Sequence, residues 1–356
     1  MTQKLKHTAI NALIWSGIEK FSLQAIGFIS TIIVARLLTP ADFGLVAMIT
    51  IFIAISNVFI DSGFGTAIIQ KKDLTNADCS TVFFFNLLIA IILYFILFFC
   101  APLIADFYKQ PELTNLTRVL GLVLVFNSLG LIQISLIQKE IKFKTNTKIN
   151  LFALLISSST GITCALLGFG VWSLVIQQVC LSLVKTILLW TFNKWRPVLE
   201  FSKSSFHHLF RFSSGLLLSE ILETFFQNIY YVIIGRFFPA SELGFFTQAK
   251  KLNDVSVTTL TSVVTQVAFP VFSTIHDDVV KLKAAFRKNI RFISFLVLPL
   301  SFCLMAVSHS LILALLKEKW LPAAPLLQIL CIMGIFYTLD VSNMVLLKSK
   351  GKSALY

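Results

Sequence analysis

Polar and charged residues recur at helical spacing inside long apolar segments of this sequence. In the segment from Gly244 to Phe272, six of them follow one another at steps of 4, 3, 4, 3 and 4: Thr247, Lys251, Asp254, Thr258, Thr261 and Thr265. Positions three and four apart share one face of an α-helix, so the pattern predicts a continuous polar stripe. A lysine in such a stripe could attract an anion, and a carboxylate could attract a cation.

Two further apolar segments carry stripes of the same kind. The segment from Leu209 to Ile234 has Ser213, Glu220, Thr224 and Gln227 on one face with Glu223 beside it, and the segment from Thr8 to Val34 has Ser16, Lys20, Gln24 and Thr31. A charge that faces lipid at the bilayer centre costs about 2.5 to 3.5 kcal/mol or more, so these groups should face protein or water.

Two interpretations of the stripes remain open from the sequence. The hydroxyl and amide groups could simply join helices, and Lys251 could pair with Glu220 or Glu223. We favour this explanation for the hydroxyl groups. For Lys20 and Lys251 we favour a place in a water-filled cavity. An ionised side chain in the middle of a membrane costs free energy, and such residues usually have a function.

The sequence shows no motif for disulfide bonds, metal binding or catalysis. The six cysteines show neither disulfide nor zinc spacing, the histidines make no metal spacing, and no catalytic triad or phosphate-binding glycine motif is evident. We therefore predict that the protein is not an enzyme and has no metal or cofactor. The net charge of +13 could suggest nucleic acid, but the basic residues lie in loops between apolar segments, so we expect no nucleic-acid partner.

The elements that position the stripes are predicted to be transmembrane helices. The chain is 56% hydrophobic and only 13% charged, and its apolar runs approach the roughly 20 residues that cross a bilayer. We predict an all-α, polytopic membrane protein with ten spans at Thr8–Val34, Phe43–Ile60, Thr81–Ala101, Leu116–Ile137, Ile149–Leu167, Val171–Phe192, Leu209–Ile234, Gly244–Phe272, Phe292–Leu316 and Ala323–Leu347. The largest predicted loop, Ser273–Arg291, is amphipathic and basic.

The distribution of basic residues predicts the orientation of these spans. If the N-terminus is cytoplasmic, the loops on that side and the span ends beside them carry 20 of the 30 Lys and Arg residues, and the opposite loops and span ends carry 6. Basic residues favour the cytoplasmic side of a membrane. We therefore predict that both ends of this sequence are cytoplasmic.

The turns after the first and seventh predicted spans resemble each other. Arg36, Asp42 and Gly44 recur as Arg236, Glu242 and Gly244, always 200 positions later. An internal repeat of this kind predicts two lobes, which we place at residues 1–200 and 201–356, around a central cavity. Two full repeats need more residues than the second lobe has, so we expect the natural chain to continue beyond Tyr356.

Six segments in order along the chain resemble the Wzx-type polysaccharide flippases, in the colanic-acid and teichuronic-acid exporter branch of the multidrug, oligosaccharidyl-lipid and polysaccharide superfamily. The segments are Arg36–Ala47, Thr66–Thr75, Leu167–Val175, Trp195–Pro197, Ile233–Phe237 and Glu318–Leu330. The resemblance implies helical lobes around a cavity that opens alternately to either side of the bacterial inner membrane. It also implies transport of undecaprenyl-pyrophosphate-linked oligosaccharide from the cytoplasmic to the periplasmic leaflet.

The resemblance assigns roles to the striped residues. Lys251 stands where this family usually has arginine, so we expect Lys20 and Lys251 to bind the pyrophosphate. We expect Gln24, Thr247, Thr258 and Gln227 to contact the sugars, and membrane lipids, a polysaccharide polymerase and chain-length machinery are further candidate partners. Relatives commonly have an aspartate where this chain has Tyr230, so an ion-coupling role at that position does not carry over.

Two alternative functions remain compatible with the sequence. A cation-coupled exporter of drugs or other small molecules from the same superfamily would use Glu220, Glu223 and Asp254 to bind the ion. A membrane-embedded scaffold without transport activity is the other alternative, since the second predicted lobe is short. A membrane polymerase would be expected to have a large external loop, and no predicted loop is long enough for one.

Overall fold

The protein is helical wherever its structure is described. A computed structural model describes residues 3–71, 73–258 and 278–349, together with residues 261, 264, 268 and 272, and these residues form no β-strand. The helices are α1 Gln3–Leu37, α2 Pro40–Asp61, α3 Phe64–Gln70, α4 Asn76–Tyr108, α5 Leu113–Leu120, α6 Leu122–Lys139, α7 Phe143–Leu166, α8 Trp172–Phe192, α9 Lys203–Phe237, α10 Ala240–Asn253, α11 Val279–Leu316 and α12 Ala323–Ser349. A π-helix, Asp254–Thr258, follows α10, and a 3-10 turn, Glu318–Trp320, precedes α12.

Eight stretches within the described residues are long and apolar enough to cross a membrane, with mean hydropathies from 1.4 to 3.0. They coincide in order with eight of the ten predicted spans, and the chain is a multi-pass membrane protein. The other two predicted spans are the ones with the longest polar stripes. The seventh corresponds to α9, and the eighth corresponds to α10 and the π-helix and then passes into residues outside the described ranges.

Two helices extend well beyond their predicted bounds. Helix α4 begins at Asn76 because Thr75 and Asp78 cap each other's backbone amides at its first turn. Helix α11 begins at Val279, so most of the segment predicted as the basic loop Ser273–Arg291 is helical, which corrects that prediction. The amide of Lys281 donates to the Asp278 carboxylate at 3.0 Å, which starts α11 and holds the pKa of Asp278 below its usual value.

The chain divides into two compact units, Met1–Leu243 and Gly244–Tyr356. In the first unit, α7 packs along α1 and α8, α2 packs against α9, and α6 packs against α4 and α8. A buried apolar cluster in this unit joins Phe64, Ile68, Val82 and Ile132. The lobe boundary near residue 200 stays a prediction.

In the second unit, α11 packs along α12, and α12 also contacts the π-helix. A Cβ atom on Gly334 would lie 3.2 Å from Val257 Cγ1, so this glycine lets the two elements approach closely. The fully buried ring of Trp320 meets Phe245 edge to face, with 6.0 Å between the ring centroids. These contacts fix the position of α10 and the π-helix within the unit.

The similarity between the two turns extends to the helices around them. Helices α1 and α9 each have 35 residues, and their bounds differ by 200 positions at both ends. The amide of Leu38 donates to the Val34 carbonyl at 2.9 Å, and the amide of Phe238 donates to the Ile234 carbonyl at 2.9 Å. The structure therefore repeats the same helix–turn–helix geometry at the spacing of the sequence repeat.

Candidate functional site

Both repeated helices carry an ionisable residue at their centre. Lys20 is the middle residue of α1, and Glu220 is the middle residue of α9. Both side chains are half-buried. Position 20 and position 220 are therefore equivalent in the repeat but have opposite charges, which the sequence analysis did not recognise.

The other residues of the α1 stripe differ in role: some remain candidate ligands, and others make contacts within the helix. Gln24 is half-buried one turn after Lys20. The Thr31 hydroxyl donates to the carbonyl of Gly27 at 2.7 Å, so it is satisfied within its own helix. The Ser16 side chain lies outside the described residues. Lys20 and Gln24 thus remain the candidate ligands on α1.

The polar stripe of α9 includes exposed amide and carboxylate side chains. Glu223 and Gln227 are exposed, and Gln227 Nε2 donates to Glu223 Oε1 at 3.0 Å. Asn228 Nδ2 donates to the carbonyl of Thr224 at 2.7 Å. Gln227, predicted to contact sugar, therefore contacts Glu223, a predicted ion ligand, across one helical turn.

A cavity of about 300 Å³ in the first unit brings Glu220 together with residues of two other helices. Its polar lining consists of Asn57 and Asp61 from α2, Asn127 from α6, and Glu220. Asn127 Nδ2 donates to Asn57 Oδ1 at 3.1 Å, and the Gly65 amide donates to Asp61 Oδ1 at 3.1 Å. We call this space the acidic cavity. Two carboxylates that share one cavity repel each other, so it favours a cation or a proton.

Sequence reasoning missed most of the acidic cavity. It included Glu220 among the candidate ion ligands but placed none of Asn57, Asp61 and Asn127 at a site. The only local signal was the spacing of Asn57 and Asp61, which lie four apart and hence on one face of α2. Nothing local in the sequence indicates that this face meets Glu220 on α9.

The predicted polar stripe of the eighth span is not continuous. Thr247 is half-buried on α10, while Lys251 and Asp254 are exposed. Asp254 begins the π-helix, whose wider turn changes the helical register that the predicted stripe requires. Further along, the buried Thr261 hydroxyl lies 3.2 Å from the hydroxyl of Thr338 on α12.

Two members of this stripe, Thr258 and Thr265, have side chains outside the described residues. The Thr258 side chain lies outside the described residues, although its backbone ends the π-helix, and Thr265 lies outside them altogether. Thr261 packs between helices as a polar contact of the kind that joins membrane helices. The exposed candidate ligands of the second unit are therefore Lys251 and Asp254, with Thr247 partly exposed. Within the described residues, no group of histidine, cysteine and acidic side chains could hold a metal ion.

Residues 33–325 match the profile of a family described as polysaccharide biosynthesis protein. The teichuronic acid biosynthesis protein TuaB of Bacillus subtilis is 30% identical over 343 residues, covering 96% of this chain and 71% of that protein. The lipopolysaccharide biosynthesis protein WzxC of Escherichia coli is 27% identical, with 98% and 71% covered. The succinoglycan biosynthesis transport protein ExoT of Rhizobium meliloti is 26% identical, with 96% and 69% covered.

Two solved structures share the fold at low sequence identity. The lipid II flippase MurJ, in an inward closed conformation, superposes with a TM-score of 0.78 at 14% identity over 96% of this chain and 77% of MurJ. An inward-facing multidrug resistance transporter of the MATE family superposes with a TM-score of 0.72 at 13% identity over 96% of this chain and 85% of the transporter. The chain therefore has the MurJ and MATE fold, as the resemblance implied.

Proposed function

Because this chain belongs to the polysaccharide biosynthesis protein family, we propose that it flips undecaprenyl-pyrophosphate-linked oligosaccharide from the cytoplasmic to the periplasmic leaflet of a bacterial inner membrane. The match over residues 33–325 and the names of its relatives, one of which is a transport protein, support this proposal. The 20-to-6 bias of basic residues supports an orientation with both ends of the sequence cytoplasmic. A polysaccharide polymerase and chain-length machinery are proposed partners.

The observation that carries the proposal is the lysine at the centre of α1. Lys20 is half-buried at the centre of α1, at the residue where the candidate membrane span Lys20–Leu37 begins, and a charge that faces lipid within a span is costly. A lysine ammonium attracts phosphate more strongly in a low-dielectric surrounding than in water. Lys20 therefore binds the pyrophosphate during its passage, and Lys251, which is exposed on α10, is a further candidate ligand in the second unit.

The remaining polar residues of the stripes contact the sugar. Gln24 and Thr247 are half-buried, and Gln227 is exposed, so each presents polar atoms at a helix surface. Amide and hydroxyl groups both donate and accept hydrogen bonds, which suits the hydroxyl groups of an oligosaccharide. Thr258 is assigned to the same group by its place in the sequence. The transport cycle makes and breaks these contacts without covalent chemistry.

The acidic cavity couples transport to an ion. Asp61 and Glu220 face the same space, so a proton or a monovalent cation that enters it relieves the repulsion between their carboxylates. Glu223 and Asp254, both exposed, are the other candidate ion ligands. A cation-coupled exporter of small molecules would use the same groups, so the identity of the cargo has to be tested directly.

The replacement Lys251→Ala tests the proposed function. We expect it to abolish transport of lipid-linked oligosaccharide into the outer leaflet of proteoliposomes, while the amount of folded protein is unchanged. Lys250→Ala is the matched control, because it removes the same charge from the adjacent, half-buried position, which is outside the predicted stripe. Transport at the full rate in Lys251→Ala would show that the assignment is wrong. Transport of a cationic drug but not of the oligosaccharide by the unaltered protein would favour the exporter, and transport of neither would favour a scaffold.

A further inference from the structure

Helix α4 contains a proline, and an arginine binds the carbonyl that the proline leaves without its usual partner. Pro102 has no amide hydrogen, so the carbonyl of Phe98, four residues earlier, receives no helical hydrogen bond from it. Arg118 Nε on α5 donates to this carbonyl at 3.4 Å. The Arg118 guanidinium also lies 4.5 Å from the centroid of the Phe98 ring. One side chain therefore contacts both the backbone and the aromatic ring at the interruption in α4.

A second arginine binds the C-terminal end of α4 in the same way. Arg236 belongs to the repeated turn and is exposed on α9, and its Nη1 donates to the carbonyl of Phe107. Its guanidinium lies 5.0 Å from the centroid of the Phe107 ring. The last four carbonyls of a helix have no donor within that helix. The Lys109 amide donates to two of them, those of Ala105 and Asp106, and Arg236 supplies a donor to the next.

The end of α9 lies close against α4 beside this contact. A Cβ atom on Gly235 would lie 3.0 Å from Cε1 of Tyr108, the last residue of α4. Tyr108 is buried, so its ring has little room to move away from α9. The C-terminal segment of α4, from Pro102 to Tyr108, therefore has an arginine at each end: Arg118 contacts it from α5, and Arg236 contacts it from α9.

The two arginine contacts differ in how readily water can replace them. Phe98 lies inside the candidate span Asn76–Tyr108, and Arg118 is half-buried. A backbone carbonyl without a donor costs several kcal/mol inside a bilayer. Phe107 lies at the end of the same span, where both it and Arg236 are exposed, and water can satisfy a carbonyl at an exposed helix end. The Arg236 contact can therefore open at low cost, whereas the Arg118 contact should persist.

We propose that the segment from Pro102 to Tyr108 is a latch, which bends at Pro102 and binds the C-terminal end of α9 in this structure. Arg118 is a positioning residue that stabilises the bend whether the latch is closed or open, and Arg236 is the contact that opens. A proline bends a transmembrane helix without unwinding it when a neighbouring group satisfies the freed carbonyl. The end of α4 can therefore move away from α9 while the rest of α4 stays packed. The latch does not depend on which cargo the protein transports.

A double-mutant cycle tests the role of Arg118 at the bend. Arg118→Ala should lower the unfolding midpoint of the purified full chain in detergent by about 3 °C, because the Phe98 carbonyl loses its donor. Pro102→Ala supplies an amide that donates to the same carbonyl, so Arg118→Ala should cost less than half as much in that background. Arg118→Lys, which keeps a charged donor, replaces the alanine variant in the cycle if that variant does not fold. An equal loss in both backgrounds would overturn the assignment of Arg118.

Distances between two spin labels test whether the latch opens. The labels are attached at Asp106→Cys near the end of α4 and at Leu167→Cys after α7, both exposed positions, in a chain whose six native cysteines are replaced by serine. Pulsed electron resonance should give one main distance while Arg236 is present. Arg236→Ala should raise the share of a second distance about 3-fold or more, because the exposed contact that keeps the latch closed is lost. Arg236→Lys, which keeps a charged donor, should stay close to the original distribution.

Two further variants make the distance measurement specific. Pro102→Ala in the Arg236→Ala chain should suppress the second distance, because a helix without proline bends less at this position. Arg287→Ala is the charge-matched control, since it removes an exposed arginine from α11 in the second unit. An unchanged distribution in Arg236→Ala, or an equal change in Arg287→Ala, would overturn the latch. A thermal unfolding curve for each labelled variant separates opening of the latch from loss of the fold.

Discussion

The two repeated helix–turn–helix segments share their backbone geometry but differ in the helix after the turn. After the first turn, α2 continues as one regular helix of 22 residues with a high content of buried apolar side chains. After the second, α10 has 14 residues and passes into a π-helix with charged residues beside the junction. The regular helix belongs to a packed core, whereas the interrupted helix carries the exposed candidate ligands. The two segments therefore share the backbone geometry of the turn but differ in the polar side chains of the helix that follows it.

The turns themselves reach the same conformation by different chemistry. In the first, Thr39 and Asp42 cap each other, and the Asp42 amide donates to Thr39 Oγ1 at 3.3 Å. In the second, proline occupies the equivalent position and has no hydroxyl, so the Glu242 amide donates to the Pro239 carbonyl at 3.0 Å. Equivalent positions in a repeat can therefore keep their geometry while the groups that stabilise it change.

The largest effect is expected where the two turns meet. A Cβ atom on Gly44 would lie 1.7 Å from the Ala240 carbonyl oxygen, so Gly44→Ala forces the backbones of the two turns apart. We expect a loss of about 3 kcal/mol in stability, at the upper end for overpacking. The measurement is thermal unfolding in detergent, with Gly27→Ala as the control, because a Cβ there has no neighbour within 4 Å. Equal stability of the two variants would contradict the close contact between the repeats.

A smaller but more specific effect is expected at the two helix centres. Lys20→Gln should lower oligosaccharide transport about 10-fold or more, because it removes a charge-assisted contact to phosphate. Glu220→Gln should instead leave transport less dependent on an imposed proton or sodium gradient. Both rates are measured in proteoliposomes with and without the gradient. If the two variants respond to the gradient in the same way, positions 20 and 220 do not have separate roles.

The smallest effect is expected at the caps. Thr39→Ala removes the side-chain cap of α2 and should cost about 1 kcal/mol in stability. Pro239→Ala removes no side-chain cap from the equivalent turn, so we expect it to cost less. The difference between the two unfolding midpoints is the measured quantity. A larger loss in Pro239→Ala would show that the second turn depends on proline more than the first depends on its cap.

The sequence predicts those features that depend on local pattern. Long apolar runs specify eight spans, and the matching residues around Arg36 and Arg236 specify the repeated turn. The acidic cavity could not be predicted, because it joins Asp61 to Glu220 through the packing of α2 on α9, and a single sequence carries no record of that contact. The predicted stripe of the eighth span failed at Asp254, since spacing analysis assumes α-helical geometry throughout.

The π-helix has a mechanical consequence for the second unit. A π turn holds one residue more than an α turn, so its conversion to α geometry would rotate the segment beyond it by about 100° relative to α10. That rotation would break the contact between Thr261 and Thr338 and bring a different face of the segment toward α12. A wide turn of five residues, Asp254–Thr258, would therefore let Thr247 and Lys251 on α10 stay in place while Thr261 changes partners.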